Sequence, residues 1–209
     1  MQAANYRVIL DACVLANIAV CDLYLRLAET PRLYVPLWTH DILDETRNVQ
    51  INVLKWPANL AGSFRDAIED AFPEGMVDGY ARIIESLDKI RDPDDRHVLA
   101  AAIRGRATTI VTFNLKDFPP DSLGPWNLEA RHPSDYLLTL YSIDAATVVK
   151  KLGDIARRRR TDVESVLINL GKTCPGFATQ LLNDLPRTLR REIASHRPGE
   201  RSERRHGGP

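Results

Sequence analysis

Short runs centred on consecutive apolar residues interrupt a chain otherwise patterned for helix, and this alternation is the tightest constraint on its fold. Residues 6–10, "YRVIL", and 108–113, "TTIVTF", read as strands with no clear polar face. Strands of that kind are covered on both sides, as in a parallel sheet. "RLYV" at 32–35, closed by Pro36, predicts a further strand, and "LEARH" at 128–132 a last one. Between them the spacing predicts helices over 12–29, from a Thr39 cap to about Leu54, from Pro57 to near Pro73, over 79–89 and over 94–104. Strands alternating with helices give an α/β fold, a parallel sheet sandwiched by helices.

From Ser134 the pattern is helical only, in segments 134–142, 144–160, 162–170 and 175–193. The expected organisation is therefore an α/β domain over 1–133 and an all-helical extension over 134–196. The tail over 197–209 has no hydrophobic residue and is expected to be disordered. The three cysteines, Cys13, Cys21 and Cys174, fit no metal-ligand spacing and point to a reduced, cytoplasmic protein. No signal peptide is evident, and no apolar run is long enough to span a bilayer. The formal charge is zero, but residues 1–143 carry 14 Lys+Arg against 20 Asp+Glu, whereas 144–209 carry 14 against 8. The basic part is either a set of solvated helix faces or a segment that attracts phosphate beside an acidic site.

The acids sit at the ends of elements. Asp11 follows the first strand, where it either caps the next helix or faces a ligand beyond the carboxyl edge of the sheet. Glu45 falls on the apolar stripe traced by Ile42, Val49 and Val53, which demands an arginine partner, a cation or a place at the stripe's edge. In "DPDDRHVLAAAI", Asp92 reads as the cap, Pro93 as the first helical residue and Asp94 as exposed. Asp95 precedes Val98, Leu99 and Ala102 on the buried face, and His97 is expected at the surface. The strand 108–113 carries Thr112 at its end and delivers Asn114 and then Asp117, which turn chemistry would also explain. Together Asp11, Glu45, Asp95, Asn114 and Asp117 form an all-oxygen set suited to Mg2+ or Mn2+ and not to zinc.

The stretches "ILDACVL" at 9–15, "ETRNV" at 45–49, "DPDDRHVLAAAI" at 92–103 and "IVTFNLKDFP" at 110–119 resemble the PIN-domain ribonucleases. The likeness is to the VapC-type toxins with an extra C-terminal helical region, and it covers about residues 5–135. It implies a PIN-like sheet and a metal-dependent endoribonuclease using Mg2+ or Mn2+. It also implies an RNA substrate, often a small DNA-binding antitoxin, and it admits a homodimer. Asp11, Glu45 and Asp95 take the metal positions. The fourth acid of the family falls on Asn114, a departure that Asp117 could make good, and Thr112 supports the loop. Cys13 stands where many relatives carry Asn. Arg157, Arg158, Arg159 and Arg160 are the expected RNA-backbone contacts. The alternative reading is a PIN-like scaffold that binds RNA or protein without cutting. A phosphatase or nucleotide-binding domain lacks its phosphate-binding glycine loop.

Overall fold

The first and third predicted strands lie side by side at the centre of the sheet. In the computed structural model, which describes residues 5–85, 87 and 95–191, strand β1 (Arg7–Leu10) pairs in parallel with β3 (Thr109–Val111), Ile9 opposite Ile110. Val8, Ile9, Leu10, Ile110 and Val111 are fully buried. Successive strand residues point to opposite faces, so both faces of these strands are covered. The edges are β2 (Val35–Leu37) beside β1, and β4 (Glu129–Arg131) beside β3, giving a four-stranded parallel sheet in the order β2-β1-β3-β4.

The second strand is displaced from its predicted position and contains Pro36, which stands opposite Val8. Proline lacks an N–H to donate and is tolerated there because β2 is an edge strand.

The predicted first helix is two, α1 (Ala12–Ala16) and α2 (Ile18–Ala28), broken at Asn17. The Asn17 side chain accepts a hydrogen bond from the Val20 N–H at 3.3 Å, so it caps a new helix instead of continuing the old one. Next come α3 (His40–Asn52), capped by Thr39, and α4 (Ala58–Ala71). A short α5 (Ala81–Ile84) follows, and α6 (Arg96–Gly105) leads into β3. Val53 does not extend the buried stripe of α3: it follows the last helical residue and is 67% exposed.

A short helix α7 (Pro120–Leu123) precedes β4, and α8 (Pro133–Ile143), α9 (Ala145–Arg158) and α10 (Val163–Leu170) follow it. The last predicted helix is also two, α11 (Pro175–Asp184) and α12 (Arg187–Arg191). Pro186 forces Leu185 into extended backbone, ψ 126°, and ends α11. The C-terminal helices share the core of the sheet: Leu137, Leu152 and Phe177 belong to the same buried cluster as Ile9 and Tyr24. Tyr24 donates its hydroxyl to the Pro133 carbonyl at 2.8 Å and stacks on Tyr136, which fastens α8 to α2. No helix among the described residues is long and apolar enough to cross a membrane.

Candidate active site

In a parallel sheet of this order, the chain runs outward from β1 to β2, then crosses back to β3 and continues to β4. The direction reverses between β1 and β3, and ligands bind in open α/β sheets beyond the carboxyl ends at such a switch point. The residues immediately beyond those two strand ends are Asp11 and Thr112. Both are buried, and the Thr112 hydroxyl donates to Asp11 Oδ2 at 2.6 Å. Asp11 Oδ1 accepts from the Ala12 N–H at 2.6 Å, and the Cys13 thiol donates to Oδ2 at 3.1 Å. Cys13 Sγ in turn accepts from the Phe113 N–H at 3.3 Å. The thiol thus joins the loop after β3 to the carboxylate, and burial with the neighbouring Asp11 charge pushes its pKa up to about 12. It is a neutral donor, not a thiolate.

Among the described residues, every group that hydrogen-bonds Asp11 is neutral, and no lysine or arginine pairs with it. A buried carboxylate without a counter-charge is costly. Glu45 on α3 adds to that charge. Burial raises its pKa; the His97 imidazole opposes this, and the charges of Asp11, Asp95 and Asp41 reinforce it. Asp11 and Asp95, the other two sequence-predicted acids, therefore both lie within electrostatic reach of Glu45. Asp95 stands immediately before α6. Asp92, Pro93 and Asp94 lie outside the described residues.

His97 is not at the surface. It is 8% exposed, and its Nε2 lies 3.6 Å from Glu45 Oε1. Its helix explains the difference. The run Val98 to Ala102 is buried throughout, because α6 packs on β1, β3 and α5, which leaves little of its first turn facing solvent. An unbroken apolar run after His97 was the available signal.

Asn114 and Asp117 occupy the single-turn helix after β3, Asn114 exposed and Asp117 half-buried. Their described hydrogen bonds are main-chain ones: the Asn114 N–H donates to Thr112 Oγ1 at 2.9 Å, and the Asp117 N–H to the Asn114 carbonyl at 3.0 Å. The turn therefore orients Thr112, and through it Asp11.

Among the described residues no three His, Cys, Asp or Glu side chains form a ready metal shell. The donor set nevertheless fits a hard cation. It offers carboxylate oxygens that repel one another, and that of Asp11 is buried with no cationic partner among the described residues. Mg2+ keeps several waters and takes only one or two carboxylates, so it needs no closed protein cage.

The four arginines lie apart from the acids but on a related side of the molecule. Lys151 Nζ contacts Glu29 Oε2 at 3.2 Å and Arg159 Nη2 contacts Asp22 Oδ2 at 2.7 Å, so α9 runs antiparallel to α2. Helix α2 starts just after Asp11 and α1, which puts the Arg157–Arg160 end of α9 toward the carboxyl edge of the sheet. Arg157 pairs with Asp154, and among the described residues Arg158 and Arg160 form no ion pair.

The comparisons with known proteins agree with this geometry. Residues 7–116 match the PIN domain family. The chain is 44% identical over 105 residues to the "Putative ribonuclease VapC50" of Mycobacterium tuberculosis (strain ATCC 25618 / H37Rv), across 49% of this chain and 61% of that protein. The match thus spans about six-tenths of that relative's length. No solved structure matches significantly. With more than half its length matched, and the acids at the switch point of a parallel sheet, the chain belongs to the PIN-domain family.

Proposed function

We propose that the chain is a metal-dependent endoribonuclease that hydrolyses RNA phosphodiester bonds. The observation that carries this reading is the buried Asp11 at the switch point, which has no cationic partner among the described residues and whose charge, with that of Asp95, acts on Glu45. Asp11 and Asp95 would hold Mg2+ or Mn2+, with Glu45 as a third ligand or as the group that orients water. When bound, the ion acidifies water and offsets charge on the scissile phosphate.

The chain's own residues do the rest. The Ala12 N–H, the Thr112 hydroxyl and the Cys13 thiol fix the Asp11 carboxylate, leaving its remaining lone pairs to the site. Glu45, which holds a proton more readily than an ordinary glutamate, accepts a hydrogen bond from the attacking water and aligns it with the phosphorus. Asn114 and Asp117 border the same rim, where an amide N–H can meet a phosphate oxygen. Arg158 and Arg160 are suited to the RNA backbone. An RNA substrate and a small DNA-binding antitoxin are the partners this reading implies, and a toxin of a toxin-antitoxin pair is the biological role.

The test is cleavage of RNA with Mg2+ or Mn2+ and with EDTA, in the wild type and in Asp11→Asn, Glu45→Gln and Asp95→Asn. Chelation and each substitution are expected to remove most cleavage while thermal melts stay cooperative. RNA binding without any metal-dependent cleavage in the wild type would replace this reading with that of a binding scaffold.

A further inference from the structure

His97 has no part in the reading above, yet it reaches into the acid cluster. It sits in the first turn of α6, two residues after Asp95, with its imidazole buried and Nε2 3.6 Å from Glu45 Oε1. It therefore spans α6 and α3, the two helices that supply acids to the site. Glu45 itself is half-buried on a long side chain. Fixing such a side chain costs rotamer entropy, so something must hold it in place. The neighbouring carboxylates cannot do so, because Asp11, Asp95 and Asp41 all repel it, while the imidazole attracts it. Groups that hold a metal-binding carboxylate from behind typically matter by about 10–100-fold in affinity or activity.

We infer that His97 is a positioning residue: its Nε2 edge holds the Glu45 carboxylate within the acid cluster, so that Glu45 meets cation and water in one orientation. The inference rests on the metal-dependent reading of the site. It assigns His97 no contact with substrate and no ligand bond to the ion. At 3.6 Å the contact lies just beyond hydrogen-bond distance, and Nε2 must carry a proton to make it.

The experiment uses the full chain, with Mn2+ affinity read by calorimetry and cleavage kinetics read alongside. His97→Leu is expected to weaken Mn2+ binding about tenfold or more and to lower kcat, with KM for RNA unchanged. His97→Gln, whose terminal amide N–H has a reach similar to Nε2, should recover most of both. His97→Asn is polar but too short to meet Glu45, and should behave like His97→Leu; it also serves if the leucine variant does not fold. In a Glu45→Ala background, which removes the side-chain partner, His97→Leu should cause no further loss.

Unchanged Mn2+ affinity in His97→Leu or His97→Asn, with only a lower melting temperature, would overturn the inference by showing a purely structural histidine. So would failure of His97→Gln to recover function, or full additivity with Glu45→Ala. Asp11→Asn separates the two levels. If Mn2+ binding survives that substitution, the metal site itself is wrong and the role of His97 falls with it. If binding is lost in Asp11→Asn but intact in the His97 variants, only the role of His97 is wrong.

Discussion

A carboxylate held among other carboxylates makes the protein without a cation pay for its site. Glu45 shows the sign of this cost. Burial, opposed by His97 but reinforced by Asp11, Asp95 and Asp41, raises its pKa above the ordinary glutamate value of 4.5. An acid whose folded pKa is raised binds its proton more tightly in the folded state than in the unfolded one. Stability is therefore lost as pH rises from the ordinary glutamate range through the raised value. Glu45→Gln removes that penalty. The metal-free variant should melt no lower than the wild type at neutral pH, and its advantage should vanish as pH falls and the wild-type carboxyl also becomes neutral. The effect is modest, because Glu45 remains partly exposed and is screened by salt. Thermal melts in EDTA across pH 4–8, about the carboxylate range and above it, check this. A variant that melts lower at every pH would mean that Glu45 contributes to the fold rather than straining it.

At the level of elements, the C-terminal helices start on aspartate caps. Asp144 Oδ1 accepts from the Thr147 N–H at 2.9 Å to open α9, and Asp162 Oδ1 accepts from the Ser165 N–H at 2.7 Å to open α10. Those backbone hydrogen bonds lower the pKa of both carboxyls. Their contribution is therefore present above the ordinary aspartate value of 3.8 and is lost as pH falls through the lowered ones. Replacing both with Ala should cost about 2 kcal/mol at neutral pH, roughly 1 per cap, and less in acid. Urea unfolding at two pH values measures it, and an equal cost at both would mean that the charges are not responsible. Such caps are legible in a sequence because they act over three residues. The central strands were legible too, since Val8 to Leu10 and Ile110 to Val111 have no polar alternation to disguise them. The break at Asn17 was missed because helical periodicity runs through it, and only its side-chain bond to Val20 stops the helix. Among the site residues, the place of Glu45 could be read only in part, because Val53, which traced its stripe, is exposed and the buried residues of α3 are Ile42, Leu43, Thr46 and Gln50. The Thr112 hydroxyl on Asp11 joins residues 101 apart, which no local pattern encodes, whereas the apolar run after His97 hinted at its burial.

Across the whole molecule, a neutral chain separates into an acidic sheet region and a basic C-terminal part, and α9 carries the densest positive charge at its end. The arginines there divide by role. Arg159 pairs with Asp22 and ties α9 to α2, whereas Arg158 and Arg160 are exposed and form no ion pair among the described residues. Arg159→Gln should therefore lower the melting temperature slightly, since a partly exposed ion pair contributes roughly 0–1 kcal/mol, and should barely change how RNA affinity depends on salt. Arg158→Gln with Arg160→Gln should do the opposite. Each phosphate contact removed releases fewer counter-ions, so the slope of log affinity against log salt should flatten by about 0.7 per contact on single-stranded RNA. The loss should be similar for unrelated sequences, because backbone contacts carry no base readout. Mn2+ affinity should stay at the wild-type value, because the acid cluster lies on α3, α6 and the end of β1. RNA binding measured over a series of salt concentrations, with melts in parallel, distinguishes the two roles. An unchanged slope in the Arg158/Arg160 variant would place the RNA elsewhere on the rim and leave this end of α9 a solvated helix terminus.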